Sequence, residues 1–367
     1  MGSRKPRKRA TISDVALLAG VSISTVSRVI NHEDPSQMRD VTRDRVLDAM
    51  AALDYTPVKA ARDLRRRRTH VLALLVPDIS NPFFSLLARG VEAAGFRVGY
   101  STLICDSNNS KDEERQHMSA LLRQNVDGVI LVPVGRPDLA SLERMERSEV
   151  PVVTADRRIP GIPHVEADNA GGSRELAKRL VALGHRQVAY LGGPEDVSTA
   201  EDRLQGFLDG LAEGGVAPVA VRRGDFTYDS GVSLGTEILR DEHPDAVVAG
   251  NDLMAIGVLH AAAAAGRRVP EDLGVAGFDD IQWAALVRPR LTTVRVPFLE
   301  IGQCSARALV ARIMSYDDAV EPTCLPVSLV IGDSTCAARA REDATGVSPG
   351  ERFRKRGDRT SRGGSGA

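Results

Sequence analysis

Several apolar stretches of this chain run directly into hydrogen-bonding side chains: Asp78 after HVLALLVP, Asp106 after STLIC, Asp156 after VPVVTA, Asn251 with Asp252 after DAVVAG, and Asp279 with Asp280 after GVAGF. Carboxylates and amides accept hydrogen bonds from hydroxyls, and Phe83, Phe84, Phe226 and Trp283 offer flat apolar faces for C–H surfaces. Together they suit a polyhydroxylated ligand. The alternative use of such acids is to cap the helices that follow, the role expected for Asp106, Asp252 and Asp280. Catalytic sets are missing: the sequence has no G-x-x-x-x-G-K-[ST], H-E-x-x-H or G-x-S-x-G. His164-Val165-Glu166 begins like a zinc deaminase signature but lacks the P-C-x-x-C partner. Neither an enzymatic role nor a cofactor or metal is expected.

The runs that carry these side chains also include GVILVPV and QVAYLGG, and their continuous apolarity predicts parallel strands covered on both faces. Helical periodicity fills 111–124, 170–183, 203–212 and 253–265 between them. The result is a doubly wound α/β core, in which ligands bind beyond the carboxyl ends of the strands.

Ahead of this core, TISDVALLAGVSISTVSRVIN predicts two short helices joined by a tight turn. Thr11 and Asp14 form a capping-box pair, Val15, Leu18 and Ala19 an apolar stripe, and Gly20 the turn. Ser22 caps the second helix, whose Val26, Val29 and Ile30 share one face. Ser24 and Arg28 then project away from that face, with Ser27 and Asn31 on its flank. Such a helix can enter the major groove of DNA or be the solvated face of a plain helical hairpin; the residues alone leave both open.

Charge adds weight to the first use. The chain has a net charge of −1, yet residues 1–70 carry +7 and the remainder −8. A basic head suits a polyanion. No apolar run is long enough to span a membrane, and the basic MGSRKPRKRA leads into a polar helix, not a signal core. Cys105, Cys304, Cys324 and Cys336 are scattered and are expected to be thiols in a reducing cytoplasm.

TISDVALLAGVSISTVSRVIN, the later YTPVKAARDL and the α/β remainder resemble the lactose/galactose repressor (LacI/GalR) family over about residues 11–337. The resemblance implies an N-terminal all-α helix-turn-helix domain and an α/β periplasmic-binding-protein-like core of two Rossmann-like lobes. The expected organisation is a basic arm at 1–10, the DNA-binding domain at 11–56, a hinge helix and linker at 57–69, the core at 70–337 and a disordered tail at 338–367. Within the core, one lobe is placed at 70–168 with 298–325 and the other at 169–297 with 326–337. The implied function is a cytoplasmic, homodimeric transcriptional regulator, a repressor by expectation, that binds pseudo-palindromic operator DNA under control of a carbohydrate-like effector.

The expected DNA-facing set is Thr11, Ser22, Ile23, Ser24, Thr25, Ser27, Arg28 and Asn31, with Ala61 and Leu64 from the hinge, where Leu64 matches the family's minor-groove wedge. The expected effector set is Asp78, Ser80, Phe83, Asp156, Arg203, Phe226, Asn251 and Asp279. The chain departs from the family pattern at Met38-Arg39, where Val-Ser is usual, at Val58, where many relatives carry Asn, and at Val132, which makes one pocket wall apolar. A transport-type binding protein would share the core fold but calls for a secretion signal and no DNA-binding head. An enzyme carrying a DNA-binding module would need a catalytic set.

Overall fold

The structure, a computed structural model, describes residues 10–30, 40–53, 55, 68–314 and 321–338. The chain divides into a small unit up to Thr69 and a large one from His70. The basic arm, Asn31, the hinge with Ala61 and Leu64, and the tail beyond Ala338 lie outside the described residues.

The small unit is built on α1 (Ile12–Ala19), α2 (Ile23–Ile30) and α3 (Asp40–Ala52). The capping box forms: Thr11 N donates to Asp14 Oδ2 at 2.8 Å and Asp14 N to Thr11 Oγ1 at 3.3 Å. Gly20 ends α1 at φ 63°, a left-handed conformation that favours glycine. The core is Val15, Ala16, Ala19, Val26, Val29, Val46 and Ala49. Leu18, expected on the buried stripe, is 55% exposed, because Ala16 takes the inward position as α1 rolls toward α3.

The large unit holds two parallel sheets. The first has the order β11-β5-β4-β3-β1-β2, from β1 (Val71–Val76), β2 (Ser101–Asp106), β3 (Gly128–Leu131), β4 (Val152–Ala155), β5 (His164–Ala167) and β11 (Thr323–Leu325). The second runs β7-β6-β8-β9, from β6 (Val188–Gly192), β7 (Ala220–Arg223), β8 (Ala246–Ala249) and β9 (Gly274–Ala276). A short antiparallel pair, β10 (Thr293–Arg295) with β12 (Ser328–Val330), completes the strands. Central strands β3, β4, β6 and β8 are buried along their whole length, as two-sided helix cover requires.

The cover comes from α4 (Pro82–Arg97), α5 (Lys111–Arg123), α6 (Leu139–Arg147) and α12 (Phe298–Met314) on the first sheet, and α7 (Asn169–Ala182), α8 (Ser198–Glu213), α9 (Tyr228–Asp241) and α10 (Asp252–Ala264) on the second. A short α11 (Gln282–Leu286) follows β9. Helices α4 and α12 approach backbone to backbone, since a Cβ at Gly90 would lie 2.2 Å from Leu299 O. The chain passes between the lobes after β5, after β10 and after β11. The carboxyl ends of the strands from both sheets therefore serve one cleft.

Candidate functional site

The cleft is organised by Arg203, on the second turn of α8 and 4% exposed. Its Nε donates to Asn169 Oδ1 at 2.8 Å and its Nη1 to Gly250 O at 2.7 Å. Nη2 lies 3.0 Å from Asp279 Oδ1, an ion-pair distance off hydrogen-bond alignment, and Cζ stands 4.0 Å over the Phe278 ring. Asn169 opens α7 just after the first crossing, so this guanidinium ties that crossing to the ends of β8 and β9.

Asp156 and Arg157 close the site from the first lobe. Both are buried, with Arg157 Nη1 donating to Pro133 O at 2.8 Å and its Cζ 6.0 Å from the Phe226 ring of the second lobe. Asp156 Oδ1, Asp279 Oδ1 and Arg157 Nε are buried with no hydrogen-bond partner among the described residues. Burial pushes the Asp279 carboxyl up to about 7 although Arg203 beside it pulls the other way. The same desolvation raises Asp156 and lowers Arg157.

Backbone strain gathers here. Asp156 (φ 63°), Phe226 (φ 68°), Asp279 (φ 112°) and Asp280 (φ 55°) all sit in the left-handed region, a cost that proteins concentrate at functional sites. Asn251 holds one of these turns: its Nδ2 donates to Phe226 O at 2.9 Å while its Oδ1 accepts from Met254 N at 2.9 Å and caps α10. The Phe226 ring then lies directly on Gly193, where a Cβ would come within 2.1 Å of it.

Asp156, Arg203, Phe226, Asn251 and Asp279 thus come together: the ends of strands put forward Asp156, Asn251 and Asp279, and the family resemblance Arg203. Asp78 and Ser80 bond each other instead, with Ser80 Oγ donating to Asp78 Oδ1 at 2.6 Å. Phe83 packs into the first-lobe core, its ring 4.5 Å from that of Phe298. Trp283 is 47% exposed on α11, and Phe278 takes the stacking role beside Arg203. Arg157, Asn169 and Phe278 were not anticipated. The capping role fails for the three acids assigned to it. Asp106 accepts from the Ile79 and Asn108 amides, while Ser110 caps α5. Asp252 accepts from Ile281 N and Thr293 Oγ1, and Asp280 pairs with Arg295 at 2.6 Å. A separate cavity of about 430 Å³ in the first lobe, between α6 and the end of α12, shares no residue with this cluster.

In the small unit, Ser22 Oγ accepts from Thr25 N at 3.1 Å, capping α2. Its hydroxyl also lies 2.8 Å from those of Ser24 and Thr25, and Thr11 Oγ1 donates to Asp14. Ile23, Ser24 and Arg28 are exposed. Ser27 is helical.

Fold and site together define a helix-turn-helix unit followed in the chain by a two-lobed binding core. The chain belongs to the LacI family of bacterial regulatory proteins: residues 11–58 match the family's DNA-binding model, and 69–331 the model of periplasmic binding proteins and the sugar binding domain of the LacI family. It is 35% identical over 337 residues to the ribose operon repressor of Halalkalibacterium halodurans, covering 91% of this chain and 99% of that one. It is 38% identical over 338 residues to the transcriptional regulator CelR of Thermobifida fusca, covering 89% of this chain and 96% of that one, and a solved CelR–cellobiose complex is 36% identical, covering 89% and 100%, with a TM-score of 0.68. The Lac repressor dimer bound to operator and an anti-inducer superposes with a TM-score of 0.81 at 30% identity, covering 90% of this chain and 100% of that one. No described helix is long and apolar enough to cross a membrane.

Proposed function

We propose that this regulator is a homodimeric repressor, without enzymatic activity, whose operator affinity is set by a small, neutral, polyhydroxylated effector held between the lobes. The observation that carries the effector class is a buried acceptor and a buried donor left without partners, Asp156 Oδ1 and Arg157 Nε, beside the Arg203–Asp279 ion pair. A polyol supplies a hydroxyl donor to Asp156 and an acceptor to Arg157. An ionised phosphate or carboxylate ligand offers acceptors only, leaves Asp156 Oδ1 without a donor and is repelled by both acids. Each guanidinium already faces an acid, so no unbalanced positive charge waits for an anion.

Asp156, Arg157, Arg203, Asn251 and Asp279 are each no more than 7% exposed, which favours a monosaccharide over a longer chain. The ribose operon repressor among the relatives makes D-ribose the first probe, with cellobiose as the larger alternative. The DNA-facing reading rests on α2, whose exposed Ser24 and Arg28 lie opposite buried Val26 and Val29. Asn31, Ala61 and Leu64 join this surface by resemblance to the family. Edge strand β2, with Ile104 46% exposed, offers a surface for a second copy.

Thermal denaturation with D-ribose, cellobiose and D-ribose 5-phosphate tests the effector. A ligand at about 100 times its Kd stabilises by about 2.7 kcal/mol, which in a unit of this size moves Tm by roughly 5–10 °C. Stabilisation by a free sugar and none by the phosphate is expected. Stabilisation by the phosphate alone would refute the neutral-polyol reading.

A further inference from the structure

We infer that two ionic bridges flanking the cleft hold the lobes closed and set how readily they open. The first joins Lys111 Nζ, at the start of α5 in the first lobe, to Asp196 Oδ2, in the loop after β6 in the second. The same carboxylate accepts from the backbone N–H of Arg136, which follows β3, at 3.3 Å. The second joins Arg158, just past β4, to Asp202 on α8: Nη1 meets Oδ2, and Nη2 donates to Oδ1 at 2.8 Å. Arg158 Nη1 also donates to Glu166 Oε2 at 3.0 Å within the first lobe, and Arg158 N–H to Ser198 Oγ of α8 at 3.0 Å.

Each bridge thus pairs a side-chain ion contact with a backbone amide donated across the cleft. Two features separate them from incidental surface pairs. The Arg158–Asp202 contact is two-pronged, and its arginine is fixed by a second acid from its own lobe, so little side-chain entropy remains to be lost on closing. At the other bridge, Gly135 makes room: a Cβ there would lie 2.6 Å from Asp196 Oδ2. All of these groups lie outside the buried Arg203–Asp279 cluster, so the bridges act on lobe position and not on a bound molecule.

Apparent affinity for anything held between the lobes scales with the fraction of molecules that are closed. Weakening either bridge therefore lowers affinity with no ligand contact removed. Because the bridging side chains are partly exposed, the effect falls with ionic strength. This part rests on the cleft being the effector site; closure itself does not.

Hydrogen exchange on the full-length, ligand-free protein tests closure, reading the Arg136 and Arg158 amides in each variant. Asp202→Asn should raise exchange not only at Arg158 but at Arg136, on the other bridge, by about two- to fivefold, the range supported by partly exposed pairs. Asp196→Asn should do the reverse. Gly135→Ala, which removes no charge, should raise both, and about 0.5 M salt should raise both in the wild type. Exchange that rises only beside the substituted residue, or not at all, overturns the proposal. With D-ribose as probe, each variant should weaken binding by the ratio of closed fractions, wild type over variant, that the protection of the two amides gives. If exchange responds at both bridges while D-ribose binds neither wild type nor variants, the effector reading fails and the bridges stand. If that ratio departs from one and D-ribose still binds all forms equally, the link from bridge to affinity is overturned.

Discussion

Replacing Asp279 by Asn should shift relative stability in the variant's favour as pH rises, on top of a fixed cost for leaving buried Arg203 without its carboxylate. In the fold, burial raises this carboxyl to about 7, against an ordinary value of 3.8. A raised acid contributes stability that is fully present below its unfolded pKa and lost as pH climbs to the folded one. The loss over that whole window is on the order of 4 kcal/mol, at about 1.4 kcal/mol per pH unit. Between about pH 5 and pH 8 only the part up to the folded pKa remains, roughly 2–3 kcal/mol. Asparagine keeps the shape and an acceptor for Arg203 but does not titrate. The difference between variant and wild type should therefore widen by roughly 2–3 kcal/mol across that range, or about 5–10 °C in Tm. Paired thermal unfolding at matched ionic strength measures it. A difference that stays flat from about pH 5 to pH 8 would mean that Asp279 titrates as an ordinary carboxylate. The cluster would then be open to water and the argument for a dry, closed site would fail.

Three further outcomes can be checked. If the ionised Asp279 accepts a ligand hydroxyl, D-ribose should bind about tenfold more weakly near pH 6 than near pH 8, and calorimetry at two pH values decides it. Arg28→Ala should cost about 1–3 kcal/mol in operator affinity if the side chain reads a base edge, with Tm unchanged because it points to solvent. Gly90→Val should destabilise by about 3 kcal/mol or more, since its Cβ would strike the backbone of α12, and chemical denaturation measures the loss.

Local signals were the legible ones. Thr11 with Asp14 and Ser22 with Thr25 act over a few residues, and caps of that kind are written in adjacent letters. The fully apolar strands β1, β3, β4, β6 and β8 were equally plain. Strand β5 was not, because HVEA alternates buried Val165 and Ala167 with partly buried, polar His164 and Glu166 in too short a run, and the same letters looked like the start of a zinc motif. Helix α8 begins at Ser198, ahead of the expected start at 203, because its N-cap is Val197, which has no side-chain acceptor to advertise. At the site, the strand-end rule brought Asp156, Asn251 and Asp279 forward, and the family added Arg203. Pairing of Arg203 with Asp279, its bond to Asn169 and its stacking on Phe278 join distant positions that no local spacing connects. Arg157 stood in plain view beside Asp156, but its burial depends on the turn that Asp156 makes at positive φ. The acids expected as caps were misassigned for a related reason: Asp252 and Asp280 bond to residues brought near only by the second sheet and its short antiparallel pair.

The order in which the sheets close also bears on how the protein is made. Strand β5 waits at the edge of the first sheet until β11, at Thr323–Leu325, arrives beside it. The whole second lobe is translated in between, about 8–30 s at ordinary elongation rates. The residues that follow β11 then serve the second lobe: β12 pairs with β10, Ser334 Oγ donates to Val275 O at 2.6 Å, and Cys336 O lies 3.1 Å from His185 Nε2. A nascent chain released shortly before Thr323 would leave both lobes with an unfinished sheet edge. Premature stops there should send the product to chaperones and proteases, with no half-active regulator accumulating.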